Sequence, residues 1–114
     1  MPDAGPDEIA DVLRAFGLSR VRVGIIGATV AAGSVTAQDL MAALQVGRAT
    51  LVPHTRALVE AGILVEGTDP TMVGAGSGFN RLVWHVDASA LRRHLGLLER
   101  VLGGDTPLAA RLGT

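Results

Sequence analysis

Side chains suited to covalent or metal chemistry are few in this chain, and they are scattered. It has three histidines, His54, His85 and His94, and no cysteine. Thiolate metal sites and disulfides are therefore both excluded. Ser34 and Ser77 fall in turn segments, Glu60 and Glu66 read as ordinary charged positions, and no nucleophile sits beside a base in a supporting context. The run Gly74-Ala-Gly-Ser-Gly78 has the composition of a phosphate loop, but no helix and no lysine follow it as a Walker motif requires, so it reads as a hairpin tip. Gly24-x-x-Gly27 lies inside an apolar helical pattern, which discounts an RNA-binding loop. The expectation is a chain without catalytic residues, cofactor or metal.

What remains is recognition chemistry, concentrated between Thr36 and Gly62. Thr36 and Asp39 have capping-box spacing, and Leu40, Ala43 and Leu44 follow at helical intervals. Gln45-Val46-Gly47 breaks the pattern; a second helix places Leu51, Thr55 and Leu58 on one side, and Gly62 closes it. Two short helices across a turn containing glycine make a helix-turn-helix. With Leu51 and Leu58 inward, Ala49, Val52, Pro53, Arg56 and Glu60 point outward, flanked by Arg48 and Thr50 in the first turn. Arg48 and Thr50 suit phosphates or base edges beside the free N–H groups of a helix start. Arg56 suits a phosphate further along, and Ala49 and Val52 suit thymine methyls. Arg81, at the base of a later hairpin, has the reach for a minor groove or a phosphate. Three of the five outward positions are apolar, which also suits a protein partner; Pro53 removes a backbone donor past the first turn.

The rest of the chain must position these residues. With 114 residues it is long enough for one domain with one core, and 48% hydrophobic against 18% charged residues excludes a disordered chain. The net charge is -1 and every basic residue is arginine, so no strong field draws the chain to nucleic acid; the lack of lysine beside abundant alanine, glycine and valine points to a GC-rich coding genome. The N-terminus has no secretory core, and the apolar run from Val23 to Ala32 is too short to span a membrane, so a soluble cytoplasmic protein is expected.

Residues 1–5 read as a flexible end. Ile9, Val12, Leu13 and Phe16 then form one helix face, stopped by Gly17. Ser19 caps a second helix to about Ala32, apolar around most of its circumference and so expected to be central, with Gly24 and Gly27 admitting close backbone approach. After the helix-turn-helix the period falls to two. Ile63–Glu66 and Arg81–Val86 read as the strands of a hairpin, joined by fourteen turn-rich residues. Trp84 reads as its core, and His85 as an exposed strand residue. Asp87 caps a last helix carrying Leu91, Leu95, Leu98 and Leu102 on one stripe and an exposed His94; Gly103-Gly104 end it, and 105–114 read as a tail. The fold class is thus mainly α with a small β-hairpin wing, a winged helix-turn-helix spanning 6–104.

At this point DLMAALQVGRATLVPHTRALVEAGIL, with His54, Leu58, Glu60, Ala61 and Gly62, resembles the ArsR-type (arsenic-repressor-like) family of bacterial winged-helix transcriptional regulators. RLVWHVDASAL is similar to the family's second wing strand and last-helix entry, and Arg20-Val-Arg-Val to the opening of its second helix. The resemblance implies a homodimer built from the first and last helices, here through Ile9, Val12, Leu13, Phe16, Leu91, Leu95, Leu98 and Leu102, acting as a repressor. Its two recognition helices would enter successive major grooves of double-stranded DNA at a pseudo-palindromic operator. His54 takes the place of a packed helix residue. The chain departs from the family in two respects: its wing tip carries Asp69 and no base, and Asp87 and His94 lack the spacing of a last-helix metal site. A small-molecule effector near the dimer interface fits the same reading, and a winged-helix protein–protein interaction module without DNA binding is the alternative.

Overall fold

A computed structural model describes residues 5–69 and 78–103. The expected tail, Gly104, most of the N-terminal end and the glycine-rich part of the hairpin tip lie outside the described residues. Helix α1 spans Pro6–Ala15, with Asp7 and Glu8 in its first turn, where they suit the helix dipole. The Glu8 carboxylate accepts from the Gly5 amide at 3.3 Å, and Gly17 leaves the helix at φ +65°, a left-handed conformation that favours glycine.

Helix α2 spans Arg20–Ala32, and its Ser19 hydroxyl accepts from the Arg22 amide at 3.2 Å. Only Ile25 and Thr29 are buried, while Val23 and Val30 are exposed, so the helix is central along one face and not around its circumference. Thr29 satisfies its hydroxyl within the core by donating to the Ile25 carbonyl at 2.7 Å. Gly24 does admit a close neighbour: a Cβ there would stand 2.7 Å from Leu44 Cδ2, which is a side chain and not the expected backbone. Gly27 meets nothing within 4 Å, so the same expectation fails there.

The short strand β1, Val35–Thr36, has no counterpart in the sequence reading. Helix α3 follows at once over Ala37–Leu44, and its start is the reciprocal cap that the spacing promises. Asp39 N–H donates to Thr36 Oγ1 at 3.1 Å, and Thr36 N–H donates to Asp39 Oδ2 at 2.9 Å. Replacing Thr36 with alanine removes the first of these bonds and is expected to lower stability by about 1 kcal/mol. Urea denaturation checks this, and an unchanged midpoint would show that the cap contributes nothing.

Helix α4 spans Arg48–Glu60, β2 Leu64–Thr68, a 3-10 turn Gly78–Arg81, β3 Leu82–Val86 and α5 Ala88–Leu102. Gly62, at φ +78°, turns the chain from α4 into β2. The sheet is antiparallel in the order β1-β3-β2, with Trp84 opposite both Val35 and Glu66. The hairpin is thus the larger part of a three-stranded sheet. Its first strand also runs two residues past the expected Glu66, because Gly67 and Thr68 pair with Val83 and Leu82. Asp87 caps α5 by accepting from the Ser89 and Ala90 amides at 3.0 and 3.1 Å.

The core is formed by Ile25, Leu40, Leu51, Leu58, Leu64 and Trp84, with smaller neighbours. Among the described residues, α1 contributes nothing to it and α5 only the half-buried Leu91. The chain is mainly helical with a small antiparallel sheet, an order compatible with a winged helix. Among the described residues, no helix is long and apolar enough to cross a membrane.

Candidate nucleic-acid interface

Helix α4 is presented by its burial pattern. Leu51, Thr55 and Leu58 are buried, and Thr55 returns its hydroxyl to the Leu51 and Val52 carbonyls, so this face can lie in the core. Their spacing of four and three residues leaves the opposite face outside. Arg48, Ala49, Thr50, Pro53, Arg56 and Glu60 are all exposed. Val52 departs from the outward set: it is half-buried, in the wall of a cleft.

The turn into α4 falls at Gln45-Val46-Gly47, where the helical pattern breaks. The left-handed residue is Gln45, at φ 54°, whereas Gly47 is extended at φ -88° and serves as the N-cap. Having no side chain, Gly47 places no acceptor on the amides of the first turn. Those donors therefore face outward with Arg48 and Thr50, an arrangement suited to an anion. Pro53 lies within the helix and is exposed; lacking an N–H, it leaves the Ala49 carbonyl without its usual partner, yet α4 runs through it unbroken.

Between α4 and the hairpin lies a cleft of about 360 Å³. Arg48, Val52 and Arg56 line one wall, and Phe79, Leu82 and Trp84 form much of the other. The Arg48 guanidinium carbon stands 4.4 Å from the Phe79 ring centroid, a cation–π contact that holds the side chain over the mouth of the cleft. Phe79 meets Trp84 edge to face, with centroids 6.5 Å apart. Trp84 Nε1 donates to Glu66 Oε1 at 3.0 Å. The buried indole is thus the floor of the cleft, with its polar atom satisfied.

Arg81 stands apart from this group. It is half-buried, and its Nε is enclosed without a hydrogen-bond partner among the described residues. Its carbonyl closes the hairpin by accepting from the Asp69 amide at 2.8 Å. The structure therefore brings Arg48, Val52 and Arg56 together, keeps Ala49 and Thr50 at the free start of the same helix, and leaves Arg81 outside the cleft.

Two histidines tie α4 to its neighbours. Arg22 Nε donates to His54 Nδ1 at 3.2 Å, joining α2 to α4. The part-buried His94 Nε2 lies 3.0 Å from the Ala61 carbonyl, in bonding distance of the end of α4; the exposed position expected for His94 is corrected. His85 is exposed, as the alternation of its strand places it. Among the described residues, no group of three or more histidine and acidic side chains is placed to hold a metal ion. The partners of the cleft, Phe79, Leu82 and Glu66, were invisible as site residues in the sequence. Only their position around the turn-rich segment hinted that they could meet α4.

Comparison of the chain with protein-family models, curated proteins and solved structures gives no match.

Proposed function

We propose that the protein is a sequence-specific DNA-binding regulator of the winged-helix type, acting as a homodimer and without catalytic activity. The observation that carries this reading is α4. It is seated by three buried residues, its exposed face begins with Arg48 and Thr50 beside uncapped amides, and a hairpin flanks it. Helix N-termini with that composition suit phosphates, and an exposed helix is the right diameter for a major groove. Arg22, joined to α4 through His54, adds a cation beside the same helix. The net charge of -1 is met by local placement: few phosphates need be contacted, so affinity should be modest and fall with salt.

The dimer is supported by the helices that the core does not use. Ile9 and Val12 on α1, Phe16 at its C-cap, and Leu95, Leu98 and Leu102 on α5 are 46–56% exposed within the single chain. Two such stripes on one small protomer exceed the scattered apolar residues of an ordinary surface. Leu13 is half-buried, and Leu91 packs against its own core, so these two contribute less to any interface. Repression as the direction of control rests on the family resemblance.

A second reading, a protein-interaction module, is favoured by the apolar Ala49 and Pro53 on the exposed face of α4. Selection of binding sites from a random duplex library with purified protein separates the two. A pseudo-palindromic site with half-sites about one helical turn apart supports the DNA reading, and no enriched sequence overturns it. On the selected site, Arg48→Ala is expected to cost about 1–3 kcal/mol of binding and leave the oligomeric state unchanged. Unaltered affinity would remove α4 from the interface.

A further inference from the structure

The cleft between α4 and the hairpin pairs a cation with an anion, and the anion has no part in DNA contact. Arg56 and Glu60 both line it, one helical turn apart, with side chains about 6 Å apart at their bases. They run in the order cation before anion along the helix, the weaker order for a mutual pair, and no salt bridge joins them. Each therefore presents its charge to whatever enters. Toward the start of α4 the lining includes the apolar Val52, Leu82 and Phe79, with Phe79 edge to face on the Trp84 indole. At the far end the Arg48 guanidinium stacks on Phe79. The cleft thus has a dipolar head and an apolar body ending at an aromatic ring. Its volume of about 360 Å³ lies within the range of small-molecule sites.

We propose that this cleft binds a free α-amino acid with an aromatic or large aliphatic side chain. An α-amino acid carries a carboxylate and an ammonium on one carbon, and Arg56 and Glu60 offer the opposite charges one turn apart. The carboxylate takes the Arg56 guanidinium, the ammonium takes the Glu60 carboxylate, and the side chain lies against Val52, Leu82 and Phe79. Glu66 already accepts the Trp84 N–H and so holds the floor in place. This site is on the DNA-facing side of the molecule, away from the apolar stripes of α1 and α5 where an effector was expected from the sequence. A bound amino acid covers Arg56, so under the DNA reading ligand and duplex compete. That consequence rests on the proposed function; the binding itself does not.

Trp84 is the only tryptophan in the chain, so its fluorescence reports on the floor of the cleft directly. The test titrates the full chain, without nucleic acid, with L-phenylalanine, 3-phenylpropanoate and 2-phenylethylamine, reading Trp84 emission and heat by calorimetry. L-Phenylalanine is expected to saturate with a Kd at or below about 1 mM, and each singly charged compound to bind at least about tenfold more weakly. Arg56→Gln is expected to weaken L-phenylalanine about tenfold and leave 2-phenylethylamine unchanged; Glu60→Gln is expected to spare 3-phenylpropanoate instead. Both positions are exposed, so the variants keep the fold. No saturable response by either readout, equal affinity for a singly charged compound, or indifference to both substitutions would each overturn the proposal. Because no duplex is present, these outcomes are separate from failure of the DNA reading.

Discussion

A Leu95→Glu/Leu98→Glu double variant is expected to remain folded and to sediment as a monomer, whereas the parent chain is expected to sediment as the proposed dimer. Helix α5 has fifteen residues and not one is buried within its own protomer, so the two substitutions disturb no core. Glutamate is a good helix former, and α5 keeps its Asp87 cap. The cost falls on the contact between copies. In a two-fold dimer each substitution occurs twice, so four carboxylates enter an apolar surface. Each lost leucine contact removes on the order of 1–2 kcal/mol, and burying unpaired charge adds to it. The combined effect is at least about 100-fold in the dimer dissociation constant. Under the proposed DNA reading, operator affinity should fall with it, because each protomer would read one half-site. Sedimentation equilibrium checks the mass, and far-UV circular dichroism checks that α5 remains helical. If parent and variant have the same mass, the exposed stripes of α1 and α5 do not form the interface.

The features read correctly from the sequence are local ones. The caps at Ser19, Thr36 and Asp87 depend on a side chain and amides two or three residues away, so their spacing carries the whole interaction. The inward set on α4 was legible for the same reason: Leu51, Thr55 and Leu58 are related by the helical repeat alone. Strand β1 was not legible, because two residues carry no period and their pairing partners, Trp84 and Val83, lie far along the chain. The break at Gln45-Val46-Gly47 was legible from composition, but not which residue turns left-handed: the amide of Gln45 closes the end of α3 and takes that conformation at the cost of some strain.

The candidate site was legible in its helix and not in its surroundings. Arg48 and Arg56 follow from the face they share, but the Arg48–Phe79 stack and the Val52 wall depend on where the hairpin folds back. The same holds for His94, whose ring reaches the Ala61 carbonyl thirty-three residues earlier. This contact links α5, the proposed dimer helix, to the end of α4, the proposed reading helix. The two surfaces on which the proposed function would depend are therefore joined through a side chain that looked merely exposed.

Trp84→Ala is expected to be the most damaging single substitution among the described residues. The indole is 1% exposed, sits on the central strand of the sheet and is the largest side chain in the core. Truncating a buried tryptophan to alanine costs about 3–5 kcal/mol, counting lost burial and the cavity left behind. A domain of this size has about 5–15 kcal/mol to lose, so about a fifth or more of the stability goes with one residue. The loss also releases Phe79 from its edge contact and Arg48 from a supported ring, so the cleft loses its floor and one wall together. Trp84→Phe divides the effect: it keeps most of the apolar contact but gives up the N–H to Glu66, and should cost about 1–2 kcal/mol beyond the change in volume. Urea denaturation followed by circular dichroism measures both variants, at one fixed protein concentration because self-association, as proposed here, would add to apparent stability. If alanine at this position costs less than about 1 kcal/mol, the sheet is not organised around the indole, and the cleft on its surface is not a built feature of the fold.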